Sequence, residues 1–269
     1  MKYIFFGSDT HCGSLTGLTP PEHNIAVSKK EVELYKLYQT RFRLWNWFIN
    51  EVNTTIRSLN IFKFDAAMWN GDLIDGQGKK TGGTELLTSD RNRQVEIAKS
   101  VVANVPANER FFTFGSPYHT GNEEDFEENI AKSFNAQIDS IGNYNINDLQ
   151  VNMKHHIANT NSVSSRFTAL SGAQIRQLLW DLQMQQKRAN LIIRSHVHRC
   201  AFVGDPASNF QGWTTPSLQG IGGKYGSRKV DGLPVAFGFL VLSVNSDKEW
   251  GITPHISPLK LQSSKSIKI

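Results

Sequence analysis

The stretch Met1-Lys-Tyr-Ile-Phe-Phe-Gly7-Ser-Asp9-Thr-His11-Cys-Gly13 decides how the chain is read. Tyr3 to Phe6 is an apolar run of strand type that stops at Gly7, and a carboxylate and an imidazole follow two residues apart. In an extended segment residues i and i+2 point to the same side. Asp9 and His11 are therefore expected to converge just past the strand end, where open α/β sheets place their ligands. A hard oxygen donor beside a nitrogen donor suits Zn, Mn or Fe better than Ca or Mg. In isolation, a surface turn with an Asp cap and a solvated His has the same sequence. The weight comes from how the rest of the chain repeats the arrangement.

It does so four more times. Phe64 to Trp69 reads as a strand and ends in Asn70-Gly71-Asp72-Leu73-Ile74-Asp75-Gly76. Arg110 to Phe114 ends in Gly115-Ser116-Pro117-Tyr118-His119, with Asn122 in the turn beyond. Leu149 to Lys154 delivers His155-His156, and Leu191 to Ile193 leads into Ser195-His196-Val197-His198. Helical segments between these strands bring them back in parallel, which gathers the five strand ends along one edge. His196 and His198 are hard to read as core histidines, because a satisfied core His is usually single and these two point the same way. Asn70 and Asp75 flank the second unit and read more readily as turn-formers or caps than as partners orienting a His. His23 and His255 fall outside any such unit.

The connecting segments carry their own signals. Ser28 to Leu59 reads as a long helix with an apolar stripe at Leu34, Tyr38, Phe42, Trp45, Ile49, Val52, Ile56 and Leu59, and Ser28 with Glu31 forms a candidate capping box. Thr88 or Ser89 opens a second helix to about Asn104, and the acidic run Glu123 to Glu128 starts another. Gly172 to Lys187 is expected to be helical with Ile175, Leu178, Leu179 and Leu182 on its buried face. Ala236 to Val244 and Trp250 to His255 alternate as antiparallel strands do.

With 269 residues, 39% hydrophobic and 20% charged, the chain has the composition of an ordinary globular protein. No apolar run approaches membrane-spanning length, and the N-terminal run is too short for a signal-peptide core, so the cytoplasm is the default location. Cys12 and Cys200 form no disulfide framework; small buried filler suits them better than a thiolate ligand. A net charge of +5 and the basic tail Lys260 to Lys268 hint at an anionic partner.

Taken together, these motifs resemble the calcineurin-like metallophosphoesterase family from Asp9 to His198. Asp9-Thr-His11, Gly71-Asp72, His155 (with His156 as the register alternative) and Ser195-His196-Val197-His198 stand where that family has Asp-x-His, Gly-Asp, a strand-end His and Gly-His-x-His. The resemblance implies a four-layer α/β/β/α sandwich of two mixed sheets flanked by helices. It implies a single domain over residues 1–269, with 257–269 as a basic tail. It implies two divalent ions of Mn, Fe or Zn type. Asp9, His11, Asp72 and His198 would hold one, and Asp72 as bridge, His155 and His196 the other. The family's Gly-Asn-His block is altered here, which weakens the second site. Ser116 or Asn122 is left to supply the missing ligand, and His119, displaced by two positions, to assist the leaving group. Ser195 replaces the family's Gly.

The activity implied is hydrolysis of a phosphoester by a water that the paired metals activate. The substrate expected is a phosphorylated small molecule or a nucleic acid, with a nucleotide or nucleic-acid phosphodiester favoured over a monoester. Lys224 and Arg228, in the loop from Gly220, are candidate phosphate contacts, and the loop Gly76 to Thr84 is a candidate wall of the site. A phosphoesterase-like fold serving as a metal-binding or scaffold protein is the alternative.

Overall fold

In β1 (Lys2–Gly7) successive side chains serve two cores. Phe5 packs toward helices, while Ile4 and Phe6 point the other way, and all three are buried. A strand that is apolar on both faces has to be covered on both. The computed structural model of the chain describes residues 1–120, 125–158, 165–205, 209–222 and 235–259.

After β1 the chain forms α1 (Val32–Ser58), β2 (Phe64–Asn70), α2 (Arg91–Ala103), β3 (Ala107–Thr113), the one-turn α3 (Pro117–Thr120), α4 (Phe126–Ser133) and the short β4 (Ile138–Asp139). The chain then enters a second sheet through β5 (Gly142–Ile146) and β6 (Leu149–Met153), followed by α5 (Ser165–Leu182), β7 (Leu191–Arg194), β8 (Ala201–Asp205) and β9 (Phe210–Thr214). It returns to the first sheet with β10 (Gly238–Val244) and β11 (Trp250–Ile256).

The six-stranded sheet has the order β11-β10-β1-β2-β3-β4 and the five-stranded sheet β5-β6-β7-β9-β8. In the first, β1 to β4 run parallel and β10 and β11 pair antiparallel at the other edge. In the second, β6, β7 and β9 run parallel between antiparallel edge strands. Ile4, Phe6, Met68, Met153, Leu191, Ile193, Leu240 and Leu242 fill the space between the sheets. Leu44, Trp45, Phe48, Val52, Val95, Val101 and Ile130 bring α1, α2 and α4 onto the outer face of the first sheet. Leu170 and Ala173 bring α5 onto the second, against Ile192, Ala201 and Phe210. The layers are thus α/β/β/α.

Register levels the strand ends. Gly7 pairs with Trp69 and Trp69 with Phe112, so β1, β2 and β3 stop together. Met153 pairs with Ile193, and β6 and β7 stop together in the facing sheet.

Several helical expectations are corrected. In α1 the buried face is Arg41, Leu44, Trp45, Phe48, Val52 and Thr55. Of the expected stripe, Trp45 and Val52 are buried and Ile49, Ile56 and Leu59 pack partly buried against the same core, while Leu34 and Phe42 are exposed. Apolar residues surround this helix, so periodicity alone leaves its rotation open. The Arg41 guanidinium faces inward because Asn24 Oδ1 (2.9 Å) and the Leu15 carbonyl (2.7 Å) accept from it. Ser28 does not cap α1; its hydroxyl accepts from Lys30 N in a turn ahead of the helix. For α2 the cap is Asp90, accepting from Asn92 N at 2.9 Å. Seven residues earlier than expected, α5 begins at Ser165, and Ile175, Leu178, Leu179 and Leu182 are exposed. Leu170, Ala173 and Gln177 are its buried residues instead. Cys12 is buried and Cys200 half-buried, both as free thiols. Burial pushes the Cys12 thiol up to about 12. No helix among the described residues is long and apolar enough to cross a membrane.

Candidate metal centre

The backbone at the strand ends is unusual in one respect. Asp9 (φ 51°), His11 (φ 45°), Asp72 (φ 52°), His196 (φ 74°) and His198 (φ 53°) all occupy the left-handed region. For side chains other than Gly this costs energy and persists only where the surroundings enforce it. Asp9 and His11 therefore do not converge through extended alternation, as expected from spacing, but through a tight left-handed turn. Hydrogen bonds hold that turn: Asp9 N donates to Gly71 O (3.0 Å), His11 N to Asp72 O (3.1 Å) and Cys12 N to Leu73 O (2.9 Å). Ser195 N donates to His155 O (2.9 Å), tying the ends of β6 and β7 in the same way. At Gly71 (φ 75°) a Cβ would meet Gly115 N at 2.7 Å and His155 Nδ1 at 2.8 Å, so only glycine lets the loops approach this closely.

Two poles result. Asp9, His11 and His198 bring their ligand atoms within 4.8 Å of one another, and so do Asp72, His155 and His196. A third set, His11, Asp72 and His119, puts the Asp72 carboxylate between the poles. In the first pole His198 Nε2 lies 3.3 Å from Asp9 Oδ1 and 3.2 Å from His11 Nε2. In the second His155 Nε2 is 3.0 Å and His196 Nδ1 4.0 Å from Asp72 Oδ2.

Neighbours fix which nitrogen faces inward. Asp75 Oδ1 accepts from His11 Nδ1 (3.0 Å), and the Asn70 main-chain carbonyl accepts from His155 Nδ1 (2.7 Å), which leaves both Nε2 atoms facing the poles. Asp75 thus orients His11 through its side chain, the role the sequence ranked second for it, whereas residue 70 orients His155 through its main-chain oxygen, which does not call for Asn. His119 donates from Nδ1 to the Asp75 carbonyl (2.8 Å). Gly76, at the start of the Gly76 to Thr84 loop, packs on the His119 main chain so closely that a Cβ there would meet His119 O at 2.5 Å.

The electrostatics follow from burial. Burial works against the Asp9 charge, but the His198 imidazole more than offsets it and holds the carboxyl at about 2. Asp72 is held well below the usual carboxylate range despite burial, by His155 and His196. Burial also opposes protonation of His155, yet Asp72 raises it to about 10. His11 is raised likewise, burial being outweighed by Asp75. His119 is lowered by burial and by the neighbouring His11.

Oxygen and nitrogen donors in this mixture fit a Zn, Mn or Fe ion. Two buried atoms, Asp9 Oδ1 and His155 Nε2, make no well-aligned hydrogen bond and are met by the ionisable groups of the poles, His198 Nε2 at 3.3 Å and Asp72 Oδ2 at 3.0 Å. Buried donors and acceptors are costly unless something satisfies them, and a divalent cation in each pole would do so.

Ser116 donates its N–H (2.6 Å) and its hydroxyl (3.1 Å) to Asp72 Oδ1. Here it acts as a clamp on the carboxylate. His156 is exposed and offers no ligand atom to any of the three sets. Past the end of β6 successive side chains go to opposite sides, and its ring lies against His196 at 5.0 Å. Asn122, Lys224, Arg228 and the tail from Lys260 lie outside the described residues.

One buried contributor escaped sequence reasoning. Glu127, counted among the acidic residues opening a helix, is fully buried and accepts from Leu73 N (2.6 Å) and Gly115 N (2.8 Å). Burial, then the Asp72 charge, push its carboxyl up to about 8. Nothing distinguishes it from its acidic neighbours in sequence.

No family model matches the chain, and no curated protein matches it. Among solved structures, an archaeal phosphodiesterase is 13% identical, covers 94% of this chain and 99% of its own, and has a TM-score of 0.40. Vps29 from Chaetomium thermophilum is 10% identical over 95% of each chain, with a TM-score of 0.44. Entamoeba histolytica Vps29 complexed with Zn is 12% identical over 94% of this chain and 98% of its own, at 0.42. Scores and identities this low assign no chemistry to this chain, which has to be argued from its own side chains.

Proposed function

We propose that the chain is a metal-dependent phosphoesterase of calcineurin-like type, acting on a phosphodiester of nucleotide or nucleic-acid kind in preference to a monoester. The observation that carries this reading is the pair of adjoining carboxylate and imidazole clusters, Asp9, His11 and His198 in one and Asp72, His155 and His196 in the other, each with its ligand atoms within 4.8 Å of one another. Asp9, His11 and His198 would hold one divalent ion and Asp72, His155 and His196 the other. Such ions, when bound, neutralise phosphate charge and ease proton loss from an attacking water. Asp75 and the Asn70 carbonyl keep His11 and His155 in the tautomer that ligates through Nε2. His119, with Nδ1–H committed to the Asp75 carbonyl, is left with Nε2 to move a proton to the leaving oxygen. Lys224 and Arg228 clamp the phosphate, and residues 1–269 act as one domain in the cytoplasm.

A second reading, a metal-binding or scaffold protein with weak or no catalysis, is favoured by Ser116. In place of a free ligand the chain has a residue whose N–H and hydroxyl are both spent on Asp72. Mn-dependent hydrolysis of a nitrophenyl phosphodiester separates the two. The enzyme reading expects turnover that vanishes in Asp72→Ala and drops about 100-fold or more in His119→Ala. A metal-loaded protein inert to mono- and diesters alike supports the scaffold.

A further inference from the structure

Behind the two poles runs an unbroken line of buried polar side chains. Ser8 Oγ donates to Asp9 Oδ2 at 2.6 Å. Ser8 Oγ and Thr215 Oγ1 are 2.6 Å apart, and Thr215 Oγ1 and Ser195 Oγ 2.7 Å apart. Asn70 Nδ2 donates to Ser195 Oγ at 2.6 Å, and Thr113 Oγ1 donates to Asn70 Oδ1 at 2.6 Å. Ser8, Thr215, Ser195, Asn70 and Thr113 are all within 1% of complete burial.

The direction of every bond is forced. An ionised carboxylate only accepts, so the Ser8 proton goes to Asp9. At 2.6 Å the Ser8 oxygen cannot face a second bare oxygen, so Thr215 spends its proton on Ser8 and not on the Arg194 carbonyl, which lies farther off at 3.3 Å. That makes Thr215 the acceptor from Ser195, which in turn accepts from Asn70. The Asn70 amide cannot be turned round, since its nitrogen also donates to the Lys154 carbonyl (3.2 Å). All dipoles therefore point at Asp9 Oδ2, and the other oxygen, Oδ1, is left to the first pole, where His198 Nε2 stands 3.3 Å away. At its far end the chain begins on the side chain of Asn70, whose main-chain oxygen holds His155 of the other pole.

We propose that Ser8, Thr215, Ser195 and Asn70 are a positioning chain that makes Asp9 a one-oxygen metal ligand and fixes it relative to His155. The inference rests on the metal-centre reading and deepens it. Ser195, standing where the resembled family has glycine, closes the line, and with glycine in its place Thr215 and Asn70 would lose their common partner.

The test is Mn titration followed by calorimetry, with the d–d absorption of the Co-loaded protein as a second readout. Thr215→Val keeps the shape and removes the hydroxyl; Ser8→Ala removes the shorter of two donors to Asp9 Oδ2, leaving the His196 N–H at 3.4 Å; Thr215→Ser and Ser8→Thr keep both functions. The first two are expected to weaken binding at one of two sites by about tenfold or more and to change the Co spectrum. The conservative pair should restore both. Thr215→Val or Ser8→Ala with wild-type affinity and spectrum overturns the proposal, whatever its melting temperature. Should Thr215→Val not fold, Ser8→Ala decides alone. Wild-type protein that takes up no divalent ion contradicts the metal-centre reading itself, a separate result.

Discussion

Asp75 illustrates how much one side chain settles at this centre. Its carboxylate fixes His11 through Nδ1 at 3.0 Å, and its main-chain oxygen fixes His119 at 2.8 Å. Asp75→Asn keeps the size but loses the charge that favours the inward-facing lone pair, so divalent-ion affinity should fall about 10- to 100-fold. Calorimetry measures this, and unchanged affinity would show that His11 needs no such support. The same titration reports on protons. His155, raised to about 10, holds a proton where a cation needs a lone pair, and His11 is shifted in the same direction. Metal uptake should therefore release protons, with an affinity that climbs as pH rises from 6 to 8. A flat pH dependence would contradict the assignment of these two nitrogens.

Elements contribute by where they stop. Each of β1, β2, β3, β6 and β7 ends at or just before a ligand-bearing turn, and that much was legible because an apolar run followed by Gly, Asp or His is a local pattern. The left-handed backbone of Asp9, His11, Asp72, His196 and His198 was not legible, since Asp and His adopt it only under tertiary constraint. The rotation of α1 and the exposed apolar face of α5 also escaped periodicity, which shows that a face is apolar but not what covers it. Glu127 belongs at this scale because it joins the turn after β2 to the turn after β3. Glu127→Ala leaves two buried N–H groups unsatisfied and should cost about 2–5 kcal/mol in chemical denaturation. Its carboxyl is raised to about 8 from an ordinary 4.5, so the folded state holds the proton more tightly. Stability from this group is full below pH 4.5 and is lost as pH rises toward 8. Glu127→Gln should therefore gain on the wild type by a few kcal/mol across that window. A difference that stays constant with pH would place the titration elsewhere.

On the scale of the whole molecule, the centre exists only because two sheets face each other. The first supplies Asp9, His11, Asp72 and His119, and the second His155, His196 and His198. Asn70 crosses the gap to Ser195 and to the Lys154 carbonyl, and Ser8 crosses it to Thr215. The apolar layer of Phe6, Met68, Met153, Ile193 and Leu240 beneath sets the spacing. The sandwich was expected from alternating helices and strands followed by strands alone, together with the family resemblance. Which strands changed sheet was not, because β8 and β9 are short and carry no pattern of their own. The most direct measurement is anomalous scattering from crystals grown with Mn. Two peaks are expected, one among Asp9, His11 and His198 and one among Asp72, His155 and His196, with the Asp72 carboxylate reaching both. Peaks elsewhere on the molecule, or none, would contradict the account.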